Sequence, residues 1–519
     1  MRLFLLTAAV SFAQVTYPDL LKPNPGNWLH YNGQYHSQRH SLLKQVNAEN
    51  VKKLVPRWIY HVDTARRLES VPIVVDGVMY FSQPNEVYAL DARTGREIWR
   101  YERQPALQKG PNRGVAVYGN KVYLGTPDAH LVALDARNGS MLWETKIAEA
   151  AEGYWSPAAP MIIKDKVIMG IAPSDHGLNG FLDAYDANTG ERLWRWQAIP
   201  RPGEPNHDTW PGDSWKTGGG GTWLTGSYDP ELNLLYWGTG NPAPDFDGDV
   251  RKGDNLYTEC IIALDADTGK MKWYFQTTPW DVHDWDAVEI PILVDTAYKG
   301  QPRKLLVQGN RNGFYYVLDR VTGEFLHGTP FIKELNWASG LTAKGRPIRV
   351  EGVIPSLQGT KTCPATSGAT NWMSPAYSPD TNWFYIVAQE GCGINTKSRD
   401  TFRPGGNSFM GTGYIESPEE PWQMFIRALD VTTGKVMWEY KQINSRRYAA
   451  GLLSTAGGLI FGADDQGFLT ALNARTGKAL WSFNTGQQIT SQPITYTVDG
   501  KQYVAIVNGS NVVSFALFE

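Results

Sequence analysis

Only three cysteines occur in 519 residues, and no Cys-x-x-Cys-His is among them, so the chain carries no attachment site for a c-type haem. Neither sign of charge is in surplus: 49 Lys and Arg stand against 52 Asp and Glu, a net charge of −3. With no basic excess and no run of like charges, nothing points to nucleic acid or to a charged interaction tail. Beyond the first residues no apolar run is long enough to cross a bilayer. The exception at the start, Met1-Arg2-Leu3-Phe4-Leu5-Leu6 through Ser11-Phe12-Ala13, combines one cation, a short apolar stretch and a small-residue end. It reads as a secretory signal over 1–13, leaving residues 14–519 as a single soluble domain exported to a bacterial periplasm.

What the chain has in abundance is Gly (52), Tyr (25) and Trp (20), which favours many short strands joined by tight turns. The pattern Ala-x-Asp-x-x-Thr-Gly-x-x-x-Trp recurs seven times, starting at Ala89, Ala133, Ala184, Ala263, Val317, Ala428 and Ala471. The second copy has Asn138 for Thr and the seventh Asn473 for Asp. The fifth is degraded at both ends, to Val317 and His327. In each copy an apolar strand enters a turn capped by Asp and completed by Gly, then reverses into a strand carrying Trp. Stretches such as Pro72–Tyr80 supply a further hairpin through Asp76-Gly77. Four strands per repeat, with a Trp docking on the next repeat, predict an all-β, eight-bladed β-propeller. Asn50–Tyr60 as an outer strand and Gln502–Val507 as an inner one would close the ring. The long gap between Val317 and Ala428 is expected to hold a blade without the motif, around Thr381–Val387.

Polar residues concentrate in the interruptions between copies, where a plain scaffold would not need them. Gly218–Gly221 precede Thr222 and Trp223, and Gly240-Asn241-Pro242 follows a strand. The glycines match neither a phosphate loop nor a dinucleotide fingerprint. Thr278–Asp286 holds three carboxylates, Asp281, Asp284 and Asp286. In an extended segment Asp284 and Asp286 project to one side, and such a pair is costly unless a hard cation neutralises it. The run Asp245-Phe246-Asp247-Gly248-Asp249 also alternates acids but lacks the pattern of a calcium loop, and is expected on the surface. Cys260, in an apolar run, is expected as a buried thiol; export permits a disulfide between Cys363 and Cys392.

Taken together, the repeat, the Gly-Thr-Trp run, Gly240-Asn241-Pro242, Thr278–Asp286 and Arg311-Asn312-Gly313-Phe314-Tyr315-Tyr316 resemble the quinoprotein alcohol dehydrogenases. The resemblance covers nearly the whole chain after residue 13. It implies an eight-bladed propeller holding pyrroloquinoline quinone (PQQ) and a metal ion on its axis. Trp223 matches the indole on which the quinone stacks, and Glu69, Arg113, Ser174, Thr222, Arg311 and Asn371 match its other contacts. Asp175, Asn241 and Asp284 match the metal ligands, with Asp175 where the family usually has Glu, and Asp284 is also the catalytic base. Asp286 matches the additional Asp of the lanthanide-using branch, so a lanthanide is expected in preference to calcium. The pairing of Cys363 with Cys392 is similar as well.

The chain departs from the family where adjacent cysteines usually stand before the Asn-Arg-Gly, having Leu107 and Gln108. Pro157 replaces a common cofactor-binding Thr, beside Ser156, and Tyr448 is the candidate for a missing lid Trp. The implied activity is oxidation of alcohols to aldehydes, with electrons passed to a separate cytochrome c or similar carrier. Sugar or aldehyde oxidation and a non-catalytic propeller scaffold are the alternatives, and a homodimer is possible.

Overall fold

The computed structural model describes residues 14–65, 67–104, 110–417, 422–443 and 450–518. The signal-like segment 1–13, Leu107, Gln108 and Tyr448 lie outside them.

Each copy of the repeat forms the last two strands of a four-stranded antiparallel sheet, to which His40–Ser41 adds a fifth, parallel strand in the seventh copy. In the first copy, Glu86–Asp91 pairs with Glu97–Glu102, and the preceding hairpin Ile73–Val75 and Val78–Gln83 completes the sheet. The Asp91 carboxylate accepts the N–H groups of Arg93 and Thr94, which closes the turn. The same capping recurs at Asp186, Asp265, Asp319, Asp430 and Asn473. The turn glycine is needed twice over: Gly95 has φ +72°, and a Cβ there would lie 2.6 Å from the Trp58 ring.

Eight such sheets follow one another. Seven contain a copy of the repeat; the eighth joins Ile494–Val498, Lys501–Asn508 and Asn511–Leu517 to the N-terminal strand Leu54–His61. The expected additional blade around Thr381–Val387 does not exist as such. Strand Trp383–Glu390 pairs with Gln423–Asp430, so it is the second strand of the sheet that carries the Ala428 copy. The length of that gap comes instead from an insertion holding the small sheets of Ala338–Leu341 with Pro347–Arg349, and of Thr360–Thr362, Gly393–Lys397 and Thr412–Glu416.

The tryptophans tie neighbouring sheets together. Trp58 donates to the Ala92 carbonyl, Trp99 to Ala136, Trp194 to Ala266, Trp273 to Arg320, Trp438 to Ala474 and Trp481 to Leu54. Trp143 lies against Gly190 without such a bond. In the degraded copy His327 takes the place of Trp, its Nε2 meeting the Thr433 carbonyl. Each contact reaches from an outermost strand to the next sheet, and the last returns to the strand from which the first began.

The antiparallel order puts all connections from second to third strand, and from one sheet to the next, at one end. The motif turns are at the other. At the motif-turn side of the axis the N-terminal segment touches every sheet, through Val15 with Gly119, Trp28 with Val74, Tyr35 with Ile162 and Tyr228, His36 with Leu293, Gln38 with Tyr377, Arg39 with Ser454 and Gly26 with Thr497. No helix among the described residues is long and apolar enough to cross a membrane. Cys363 and Cys392 form a disulfide, and Cys260 is a buried free thiol.

Candidate active site

Every expected site residue lies in a connection at the end opposite the motif turns. Ser174, Asp175, Asn241 and Arg311 leave second strands; Glu69, Arg113, Trp223, Asp284, Asp286 and Asn371 precede first strands. These ten line one cavity of about 350 Å³, together with Arg67, Trp155, Pro157 and Trp372 among others. Thr222 is not in the lining. Its hydroxyl donates to the Phe181 carbonyl and accepts the Ile171 N–H, which anchors the segment presenting Trp223.

The glycine run is explained by backbone approach. The Gly220 N–H donates to the Asn241 carbonyl and the Gly240 N–H to the Gly221 carbonyl, so the two segments lie side by side. The Ser174 hydroxyl accepts the Gly221 N–H at 2.8 Å. At Gly240 a Cβ would lie 2.4 Å from Asp286 Oδ1. Glycine there lets the Asp286 carboxylate accept the Asn241 N–H at 2.7 Å while its other oxygen meets Arg311 Nη1 at 2.6 Å. Arg311 also donates to the Thr366 carbonyl and lies 3.6 Å from Asp284.

Asp284 and Asp286 reach the cavity together, but not by the alternation of a strand. Residues 281–290 are irregular, and Asp284 has φ +61°. A left-handed residue flanked by buried neighbours turns its side chain out of the loop and into the cavity. The segment is no solvated acidic loop: Asp281 and Asp286 are buried. The acidic run after Asn241, expected on the surface, is a further correction. Asp245 and Asp247 are buried because their loop leaves a second strand at the axis end and is covered by the insertion, where Phe246 donates to the Met410 carbonyl.

The site is short of positive charge. Burial pushes the Asp284 carboxyl well above the ordinary range; Arg311 opposes the rise, and Asp286 and Asp175 add to it. Burial likewise raises Asp286, to about 6, against the pull of Arg311. Asp175, Asp245, Glu259 and Glu289 are all raised, burial again the largest cause. So many buried carboxylates around one guanidinium, all oxygen donors, suit a hard cation. The Asn241 amide presents an oxygen to the same space, because its Nδ2 donates to Asp245 at 2.8 Å. Among the described residues the three carboxylates Asp175, Asp284 and Asp286 do not bring oxygens within 4.8 Å of one another. The one trio that meets that spacing, Glu334 with Cys363 and Cys392, has its sulfurs in the disulfide. Opposite ligands of a cation bound at 2.3–2.6 Å stand about 5 Å apart, slightly wider than that spacing.

Across the cavity, Trp223 forms an aromatic wall. The Arg113 guanidinium lies 4.8 Å from the Trp223 ring centroid and 5.4 Å from that of Trp372, and pairs with Glu69 at 3.3 Å. Arg113 Nε and Nη1 and Arg311 Nε are buried without hydrogen-bond partners. Unpaired guanidinium donors beside an indole that lines the cavity fit a flat ligand bearing anionic oxygens. Trp155, Trp372 and Arg67 were not singled out in the sequence, and Asp245 was read there as surface; Trp372, adjacent to Asn371, had only that adjacency as a signal.

Comparison with known proteins agrees with this geometry. The family described as "PQQ: Glucose/ethanol/alcohol dehydrogenase, beta-propeller domain" matches residues 28–331 and 442–504. The chain is 38% identical to quinoprotein alcohol dehydrogenase PedH of Pseudomonas putida, covering 97% of this chain and 90% of that protein. It is 35% identical to the lanthanide-dependent methanol dehydrogenase of Methylacidiphilum fumariolicum, covering 94% and 85%. Among solved structures, a europium-containing methanol dehydrogenase superposes with a TM-score of 0.89 at 32% identity, covering 96% of this chain and all of that one.

Proposed function

This chain belongs to the PQQ-dependent, quinoprotein alcohol dehydrogenase family, and from that premise we propose what each part of its cavity does. The protein is a PQQ-dependent alcohol dehydrogenase with a β-propeller domain. The single observation that carries the site reading is that ten of the eleven expected residues line one cavity.

The finer architecture we propose is a single eight-bladed propeller over residues 14–519, sealed by the sheet that both ends of the chain share. Eight sheets and a circuit of Trp and His contacts support it. Trp223 would supply the stacking face for PQQ, Arg113 and Arg311 the cations for its anionic oxygens, and Glu69, Ser174 and Asn371 further polar contacts. Thr222 acts from behind, by anchoring Trp223. Asp175, Asn241, Asp284 and Asp286 would hold the metal. Four oxygen donors, three of them carboxylates, favour a lanthanide over calcium.

When bound, PQQ and its metal supply a two-electron acceptor and a Lewis acid. The protein supplies the proton chemistry and the orientation. Asp284 Oδ, turned into the cavity by its left-handed backbone, accepts the hydroxyl proton of the alcohol. Arg311, 3.6 Å away, favours the ionised form of that carboxylate and so keeps it a base. The apolar faces of Trp155, Pro157 and Trp372 exclude water from the mouth of the cavity. Electrons leave for a separate carrier such as a cytochrome c. The N-terminal apolar segment supports a periplasmic location.

The test is reconstitution with PQQ and either calcium or a light lanthanide, followed by dye reduction over several alcohols. Bound-quinone absorbance with alcohol-dependent dye reduction is expected, stronger with the lanthanide. Absence of both with either metal would sink the assigned site.

A further inference from the structure

Asp245 stands directly behind Asn241, and none of the roles above uses its charge. It is completely buried. Its Oδ1 accepts from Asn241 Nδ2 at 2.8 Å, and its Oδ2 has no hydrogen-bond partner. The guanidinium closest in sequence, Arg251, spends its N–H groups on the carbonyls of Pro244, Asp245 and Asp281 and on Asn255 Oδ1. Among the described residues no cation forms a direct ion pair with the Asp245 carboxylate; Arg251 attracts it only through space. Its electrostatic neighbours are three further acids, Asp175, Asp284 and Asp286, against the single guanidinium of Arg251. A buried carboxylate among carboxylates is strongly unfavourable unless a cation compensates it.

Two consequences follow from the one hydrogen bond. An ionised carboxylate only accepts, so the amide of Asn241 must present its NH₂ to Asp245 and its carbonyl oxygen elsewhere. The oxygen is thereby fixed towards the cavity, as a cation requires. The second consequence concerns charge. Asp175, Asp284 and Asp286 face the cavity, Asp286 with Arg311 already paired to it. Asp245 adds a further negative charge just behind the ligands, and an added charge favours a trivalent ion over a divalent one by one more unit of Coulomb energy.

Resting on the metal reading of the site given above, we propose that Asp245 is a positioning and charge-supplying residue of the metal site, which orients Asn241 and biases the site towards trivalent cations. Asp247, two residues on, is a matched comparison. It is also buried, but its carboxylate caps a turn by accepting the Asp249 N–H.

The test is equilibrium dialysis of the full chain with PQQ against mixtures of La³⁺ and Ca²⁺, with bound metal counted by mass spectrometry. For Asp245→Asn the ratio of La³⁺ to Ca²⁺ affinity should fall at least tenfold; for Asp247→Asn it should stay within twofold. Circular dichroism and thermal melting of the metal-free variants verify folding. If Asp245→Asn does not fold, Asp245→Ser, smaller and able to accept from Asn241, is read in the same way. An unchanged ratio, or an equal loss of both ions, overturns the proposal. Binding of neither ion by the unaltered protein would refute the metal site itself, and this inference with it.

Discussion

Gly240→Ala isolates the contribution of Asp286 without touching any functional side chain. The backbone at Gly240 is not left-handed, so alanine fits the conformation. Its Cβ, however, would lie 2.4 Å from Asp286 Oδ1, where ordinary contacts begin at 3.4 Å. The carboxylate must therefore retreat by about 1 Å, the displacement that in an active site costs on the order of a hundredfold in rate. The two bonds it would loosen, from Asn241 N–H at 2.7 Å and Arg311 at 2.6 Å, are charge-assisted and worth about 1.5–3 kcal/mol each. Lanthanide-supported kcat/KM for alcohol should fall about a hundredfold, roughly 2.7 kcal/mol. Gly413→Ala, whose added Cβ meets nothing within 4 Å, should leave it unchanged. The assay is dye reduction with reconstituted enzyme. In a double-mutant cycle, Gly240→Ala should add little to Asp286→Ala, because both act through one carboxylate. Activity within twofold of the unaltered protein, or full additivity in the cycle, would refute the assignment of Asp286.

Asp284→Asn should lower kcat by about 10²–10⁴-fold, with bound-quinone absorbance retained; loss of quinone binding instead would make Asp284 a structural residue. Trp223→Ala should weaken PQQ binding at least tenfold in absorbance titrations, removing a stacking face worth about 1 kcal/mol beyond its buried area. The acids Asp284 and Asp286 have raised values in the folded chain, Asp286 at about 6, so the folded state binds their protons more tightly than the unfolded one. Their contribution to metal-free stability is present at low pH and lost as pH rises through 6, and the rise in melting temperature on adding La³⁺ should grow from pH 5 to 7.5. A metal-induced rise independent of pH would contradict that reading. Cys363→Ser with Cys392→Ser should cost about 3–4 kcal/mol in denaturant unfolding, from the closure entropy of a loop spanning 29 positions.

The sheets were readable from the sequence because each repeat encodes a complete local device: a capping Asp, a left-handed Gly and a Trp whose partner is the next turn. The same logic misplaced the strand at Trp383, since a strand with no motif of its own belongs to whichever sheet pairs with it, and pairing is not local. At the site, residue types were legible where chemistry forces them, as with Asp284 beside Asp286 and Arg311. Burial was not. An alternation of acids such as Asp245 to Asp249 reads as a solvated loop until the segment around Met410 and Gly411 is known to cover Asp245 and Asp247. Nor did the sequence reveal that the Thr222 hydroxyl is consumed by Phe181 and Ile171, or that Arg113 lies between two indoles.

The sheet shared by the two ends of the chain also sets an order of assembly. Its strand Leu54–His61 is made before the seven other sheets and its partner Asn511–Leu517 after them, with contacts spanning about 460 positions. Bringing such ends together costs about 5 kcal/mol in chain entropy before any bond forms. Seven sheets can fold as they emerge, each against its predecessor, but an early strand must wait with an open edge until Asn511–Leu517 has been made. The seam is thus the last joint made and the natural place for the molecule to begin opening. A covalent link across it, between Leu54–His61 and Asn511–Leu517, would slow unfolding far more than one of equal strength within any other sheet.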